Sequence, residues 1–241
     1  MSAEQANAVP VLRLAGVTKT YYLGEVEVPV LRGVDLEVHE GELTVVLGPS
    51  GSGKTTLLNV MGALDRPSTG RVEFDGRDLS EFSDRQLTEF RRHELGFVFQ
   101  LYNLVPTLTA QENVEVATEG LDNVMEAAEA LRLVGLEERA HHFPSQMSGG
   151  EQQRVSVARA VARRPRLLLC DELTGALDST TGRTILDLVV RLNAELNMTI
   201  VVITHAVPVG GLADRVIRID SGRVVEQRLN ETRVAVADID C

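Results

Sequence analysis

The sequence predicts an α/β fold: an N-terminal antiparallel β subdomain, a core of alternating strands and helices, and a helical subdomain inserted at about residues 101–162. Three observations carry this. Short runs of β-type residues recur along most of the chain, with turn residues between them. Stretches with apolar residues at helical spacing alternate with those runs. From Leu101 to Ala162 the β signal stops and only helical spacing remains.

In chain order, residues 1–10 read as a flexible tail, and Val11–Leu14, Val26–Leu31 and Val34–Val38 as short strands separated by turns. Leu43–Leu47 is β-type throughout and runs into a glycine-rich turn, after which a helix is expected over Lys54–Leu64. A strand at Val72–Phe74, an Asp75–Gly76 turn, a helix over Asp84–Glu94 and a strand at Gly96–Phe99 follow. Helical spacing covers Gln111–Ala117, Val124–Val134 and Glu151–Arg163. The β signal returns at Arg166–Cys170. Helix Thr180–Leu196, strand Thr199–Ile203 and a hairpin-like pair, Val216–Ile219 and Arg223–Glu226, come after it. Residues 229–241 read as a frayed tail, which leaves one domain over 11–228.

Of the 241 residues, 44% are hydrophobic and 24% charged, a balance that supports a packed core and argues against intrinsic disorder. The net charge of -11 shows no basic stripe, so neither a nucleic-acid partner nor unaided adhesion to an anionic membrane is expected. No apolar run approaches the roughly 18 residues of a membrane-spanning helix, so no direct membrane insertion is expected. The start, MSAEQANAVP, has no basic residue and no apolar core, unlike a secretory signal. Cys170 and Cys241 make neither a disulfide framework nor a CxxC pair, and Cys170 reads as a small buried hydrophobe. A cytoplasmic protein is expected.

Gly48-Pro49-Ser50-Gly51-Ser52-Gly53-Lys54-Thr55 satisfies G-x-x-x-x-G-K-[ST] between a predicted strand and a predicted helix. Glycines let successive backbone N–H groups point inward at phosphate oxygens, and the helix that follows adds the positive end of its dipole. Lys54 would reach the outer phosphates of ATP, the Thr55 hydroxyl would ligate Mg²⁺, and Thr56 completes the candidate loop. This narrows the fold to a P-loop NTPase (RecA-like) core.

Such a loop needs a carboxylate for the metal and a group to orient the attacking water. Leu167-Leu168-Leu169-Cys170-Asp171-Glu172 is an apolar strand that releases two carboxylates at its C-terminal end, where ligands collect in α/β sheets. Asp171 would serve Mg²⁺. Glu172 would act as general base or as a water-orienting carboxylate.

Met147-Ser148-Gly149-Gly150-Glu151-Gln152-Gln153 narrows the class further. Ser148-x-x-Glu151 is a capping box that any helix start can use, while Gly149 and Gly150 allow close backbone approach to a ligand. The stretch resembles the signature motif of ABC cassettes, and the resemblance runs from about Val11 to Glu226. It implies that Ser148, Gly149, Gly150 and Glu151 face the γ-phosphate of an ATP held by a partner chain. It further implies that Gln100 is the Q-loop glutamine, near phosphate and metal, and that His205 is the histidine contacting the γ-phosphate. Asp178, in Ala176-Leu177-Asp178, would lie at the dimer interface, and Tyr21 would stack on adenine, with Tyr22 its neighbouring competitor. RRHELGFVFQ, YNLVPTLTAQEN and TGALDSTTG resemble the MacB/LolD/FtsE-type subfamily of lipoprotein release, macrolide export and cell division.

The resemblance implies a homodimer or paired cassette that hydrolyses ATP and drives an integral membrane permease, held on the inner face of the cell membrane through that permease. The alternative is a complex in which the ATPase signals through its membrane partner to an extracytoplasmic enzyme and moves no substrate. The Leu101–Thr109 stretch, with Leu104 and Val105, is expected to meet the permease. Leu173 stands where the family usually has proline, which should loosen the turn after Glu172. Ala206 replaces an aspartate, Glu151 replaces the commoner glutamine, and the helical insert is short. His141 and His142 read as solvated residues at a helix end.

Overall fold

The structure, a computed structural model, describes residues 10–239. Most of the N-terminal tail, together with Cys241, lies outside the described residues. Two sheets carry the chain. The first is antiparallel, in the order β2-β1-β4-β5, from β1 (Leu12–Leu23), β2 (Val26–Val38), β4 (Thr69–Phe74) and β5 (Arg77–Asp78). The second has the order β10-β9-β3-β8-β7-β6, from β3 (Leu43–Leu47), β6 (Leu95–Val98), β7 (Leu167–Asp171), β8 (Thr199–Thr204), β9 (Arg215–Asp220) and β10 (Arg223–Leu229). It is parallel from β9 to β6, with β10 added antiparallel at one edge.

The parallel strands are buried on both faces, and their alternate residues build two cores. Leu43, Val45, Leu168, Cys170, Ile200 and Val202 face α3 (Ala110–Thr118), α4 (Ala127–Leu133), α5 (Gly149–Val161) and α6 (Ser179–Leu196). Val46, Leu167, Leu169, Val201 and Ile203 face α1 (Lys54–Met61), α2 (Asp84–Glu94) and the antiparallel sheet. Between β6 and β7 lie three α-helices and no strand, as the lost β signal predicts. The registers place Leu47 beside Thr204 and Asp171 beside Ile203, so β3, β7 and β8 end at one edge of the sheet.

Several elements differ from the expectation. The first strand, β1, runs on to Leu23 rather than ending at Leu14. Val26–Leu31 and Val34–Val38 form one unbroken strand, β2. Pro29 is tolerated because β2 is an edge strand, and Gly33, at φ 80°, sits beside a register shift between Arg32 and Val34. The helix after the glycine-rich turn ends at Met61 rather than Leu64. There the N–H groups of Leu64 and Asp65 both fold back onto the Asn59 carbonyl.

Among the described residues after Leu229, three are anchored rather than frayed. Asn230 donates to the Gly210 and Ala213 carbonyls, Arg233 pairs with Asp214, and Ile239 is buried in the helical-side core. The polar composition of this segment hides these anchors from a reading by hydropathy. Among the described residues no helix is long and apolar enough to cross a membrane.

Candidate nucleotide site

The predicted phosphate loop joins the end of β3 to α1. Gly53 caps the helix in the left-handed region, at φ 100°, which a residue with a Cβ adopts only under strain. A Cβ on Gly48 would fall 2.3 Å from the Ile219 carbonyl oxygen, so the loop lies too close to β9 for any side chain there. Lys54 is buried, and its ammonium donates to the Gly48 and Pro49 carbonyls at 2.9 and 3.0 Å. Pro49, Ser50, Gly51 and Thr55 are exposed. The Ser52 hydroxyl is buried without a hydrogen-bond partner. The loop thus curls around its own lysine, as a cradle for phosphate oxygens requires.

Asp171 and Glu172 emerge from β7 opposite this loop. Burial and the neighbouring Glu172 push the Asp171 carboxyl above the usual carboxylate range, against the pull of Lys54 and the Thr55 hydroxyl. Its Oδ1 is buried with no partner. An orphaned acidic oxygen beside a threonine hydroxyl suits a hard divalent cation. Among the described residues no three His, Cys, Asp or Glu converge as a metal cage. Magnesium in that setting completes its shell with water and substrate phosphates, so Thr55 and Asp171 fit the ion as partial ligands.

Glu172 sits at φ 46°, an uncommon backbone for a glutamate, which turns its side chain back over the sheet edge. His205 Nδ1 lies 3.0 Å from Glu172 Oε2, and the Thr204 hydroxyl donates to the same oxygen at 3.2 Å. Lys54 Nζ is 3.8 Å from Oε1. A carboxylate only accepts, so the bond to Glu172 needs a proton on His205 Nδ1. Lysine, glutamate and histidine, remote in sequence, therefore share one edge of the sheet.

The turn after Glu172 is held rather than loosened by Leu173. Leu173 is buried, its carbonyl accepts from the buried Gln153 of α5 at 3.3 Å, and the Gly175 N–H closes onto Glu172 O. The Ala206 N–H donates to the Thr204 hydroxyl at 3.1 Å, a backbone bond that does not depend on the side chain at this position. The Gln100 side chain lies over this same turn: a Cβ on Gly175 would fall 2.9 Å from its Nε2. The carbonyls of Tyr102 and Asn103, just beyond, accept from Arg159 of α5.

Ser148 caps α5, with Glu151 closing the box at 2.8 Å from the Ser148 N–H. Glu151 also pairs with Arg139 at 3.2 Å. A Cβ on Gly150 would fall 2.2 Å from Thr181 Cγ2, so the glycine lets α5 rest on the start of α6. Asp178 caps α6 through the Thr181 N–H and hydroxyl, at 3.0 and 2.7 Å. No hydrogen bond or ion pair among the described residues joins the Ser148–Glu151 turn to the phosphate loop. The turn neighbours Tyr102, Arg139 and Thr181 instead.

Tyr21 lies on β1, half-buried, and its hydroxyl meets Asp65 and Thr56. Its competitor Tyr22 is 67% exposed. Leu104 packs against the helical-side core, which leaves Leu101 and Val105 as the exposed apolar residues of that loop. His142 is half-buried rather than solvated, with Nδ1 unpartnered and Nε2 3.1 Å from Arg139. Thr204, Gln153, Arg159 and Asp65 escape a motif reading because each acts through a neighbour rather than within a recognisable spacing.

The family model described as ABC transporter matches residues 31–175. An uncharacterized ABC transporter ATP-binding protein of Thermotoga maritima is 48% identical over 225 residues, covering 90% of this chain and 96% of that protein. The macrolide export ATP-binding/permease protein MacB of Azoarcus is 47% identical over 221 residues, covering 90% of this chain and 34% of that longer protein. A solved dimeric, post-hydrolysis structure of the ATP-binding cassette MJ0796, bound to ADP and Pi, superposes with a TM-score of 0.83 at 43% identity. It covers 90% of this chain and 98% of that one.

Proposed function

The chain belongs to the ABC transporter family as an ATP-binding cassette, and from that premise we propose that two copies close head to tail around two ATP molecules and hydrolyse them. The observation that carries the reading is the separation of the half-sites. Lys54, Asp171, Glu172 and His205 gather at one sheet edge, while the glycine-rich turn at Ser148 lies elsewhere in the same chain. A second copy supplies the missing half of each site, and the dimeric state of the solved relative supports this.

Each residue then has a defined task. Lys54 exchanges the Gly48 and Pro49 carbonyls, and the distant Glu172, for phosphate oxygens. Backbone N–H groups of Gly51–Thr56 and the start of α1 complete the cradle. Tyr21 stacks on the base. Thr55, Asp171 and Gln100 would hold Mg²⁺, which neutralises phosphate charge in the reaction. Glu172 orients the attacking water and accepts its proton on a carboxylate oxygen. His205 is aligned by that same carboxylate through Nδ1–H, and as an imidazolium it donates Nε2–H to a γ-phosphate oxygen. Across the interface the Ser148 N-cap and α5 present a helix start to the same phosphate, and Asp178 lines the contact. Loss of the γ-phosphate removes the charge that both halves grip, and the dimer opens.

The permease is the finer part of this reading. The likeness to the cassette portion of a macrolide export ATP-binding/permease protein supports an export-type membrane partner at the inner face of the membrane. Leu101, 77% exposed, and Val105 would take part in that contact.

Complementation tests the shared site. Lys54→Ala chains keep the Ser148 turn, and Ser148→Arg chains keep the phosphate loop, so each preparation alone is inactive. A mixture forms one complete site per mixed dimer and recovers hydrolysis. A mixture as inactive as its parts overturns the head-to-tail arrangement.

A further inference from the structure

The side chains of Tyr21, Lys19 and Asp65 close on one another. The Tyr21 hydroxyl donates to Asp65 Oδ2 at 2.8 Å. Lys19 Nζ donates to Asp65 Oδ1 at 2.5 Å and to the Arg66 carbonyl at 2.8 Å. The same ammonium lies over the ring, 4.9 Å from its centroid. Asp65 is anchored in turn, because its N–H donates to Asn59 O at 3.1 Å just beyond α1. Ser68 ties the following stretch to β1, its N–H on Thr18 O at 2.8 Å and its hydroxyl accepting from the Thr20 N–H at 3.0 Å.

The geometry uses up the freedom of the ring. A tyrosine has two side-chain torsions, and a tethered hydroxyl fixes both. The ammonium occupies the distance at which an offset-stacked ring would lie, so that face is closed to a base. Only the other face can receive one. Protonation keeps the tether in place. Burial and Asp65 push the Tyr21 hydroxyl up, so it stays a donor. Partial burial opposes the ionised Asp65, but the bonds from Lys19 and Tyr21 outweigh it and hold that carboxyl below its usual range.

We propose that Asp65 and Lys19 are positioning residues for the nucleotide base, holding the Tyr21 ring in its stacking orientation before the nucleotide arrives. This rests on the reading of Tyr21 as the stacking side chain. Stacking itself is tolerant of base identity. The tether therefore strengthens binding of any purine nucleotide and contributes nothing to the phosphates. Freeing the ring restores the ordering cost of one mobile side chain, a loss of about two- to tenfold in ATP affinity.

Calorimetric titration of the full chain with ATP and with inorganic tripolyphosphate, at a temperature where hydrolysis is negligible, separates base from phosphate. The variants are Asp65→Ala, Tyr21→Phe and Tyr21→Ala; Tyr21→Phe removes a single oxygen, and with it the contacts to both Asp65 and Thr56, and tests the tether if Asp65→Ala does not fold. The expected result is a two- to tenfold loss for ATP in Asp65→Ala and Tyr21→Phe, a larger loss in Tyr21→Ala, and unchanged tripolyphosphate binding throughout. Full ATP affinity in Asp65→Ala and Tyr21→Phe, with a loss in Tyr21→Ala, overturns the tether and leaves the stacking intact. Full affinity in all three removes the stacking reading itself. Equal losses for ATP and tripolyphosphate place the effect at the phosphate loop and overturn the proposal.

Discussion

Replacing Gly150 by alanine tests how closely the glycine-rich turn must sit on its neighbour. The added Cβ would fall 2.2 Å from Thr181 Cγ2, well inside van der Waals contact. Thr181 has two ways to yield. Rotating its side chain breaks the 2.7 Å bond from its hydroxyl to the exposed Asp178 carboxylate. Moving α5 off α6 instead costs about 1–3 kcal/mol of packing. Against either, alanine gains up to about 1 kcal/mol of helix propensity over glycine. The net expectation is a loss of about 1–2 kcal/mol, or roughly 2–8 °C in Tm for a chain of this size. Thr181→Ser removes the offending methyl and keeps the hydroxyl, so the double variant should regain most of the loss. Thermal unfolding by circular dichroism of the four chains closes the cycle. A Gly150→Ala chain as stable as the parent, or a double variant no better than the single one, refutes the steric account.

Three further outcomes follow from the same structure. Ile239→Ala should lower stability by about 2 kcal/mol, because Ile239 is buried in the helical-side core; unchanged thermal unfolding would return the segment to a frayed tail. Glu151→Gln keeps an acceptor for the Ser148 cap and loses the Arg139 pair, so at neutral pH it should shift stability by less than about 1 kcal/mol. The cap bond from the Ser148 N–H, against some burial, holds the Glu151 carboxyl below its usual range. Its contribution is therefore present above the unfolded value of about 4.3 and lost as pH falls through the lower folded value, so Tm of the parent should drop more than that of Glu151→Gln below about pH 4. Lys54→Ala should abolish hydrolysis, and an ATPase assay that detects residual parental turnover contradicts the role given to this lysine.

Much of the site is legible because its chemistry is written in contiguous spacing. Gly48–Thr55, the Asp171–Glu172 strand end and Ser148–Glu151 each carry a local mechanism, and parallel register then brings two of the three to one edge. What stays hidden is what acts across the chain. Asp65 lies in an ordinary loop until the fold places it under the Tyr21 hydroxyl. Gln153 looks like any polar residue of a helix, yet it is buried against the carbonyl after Glu172. Pro29 and Gly33 read as breaks because sequence does not show that β2 is an edge strand, where both are tolerated. Leu173 illustrates the same limit from the other side. The missing proline suggests a loose turn, and only the packing of Leu173 in the core shows what replaces it.

Closure around ATP is tested most directly by sizing the Glu172→Gln chain with and without ATP, using light scattering coupled to chromatography. Glutamine keeps the shape of Glu172 and removes its capacity to take a proton, so bound ATP is retained and the closed state accumulates. The expected result is a monomer without nucleotide and a dimer of twice the mass with ATP. A chain that binds ATP and stays monomeric contradicts the shared, head-to-tail site.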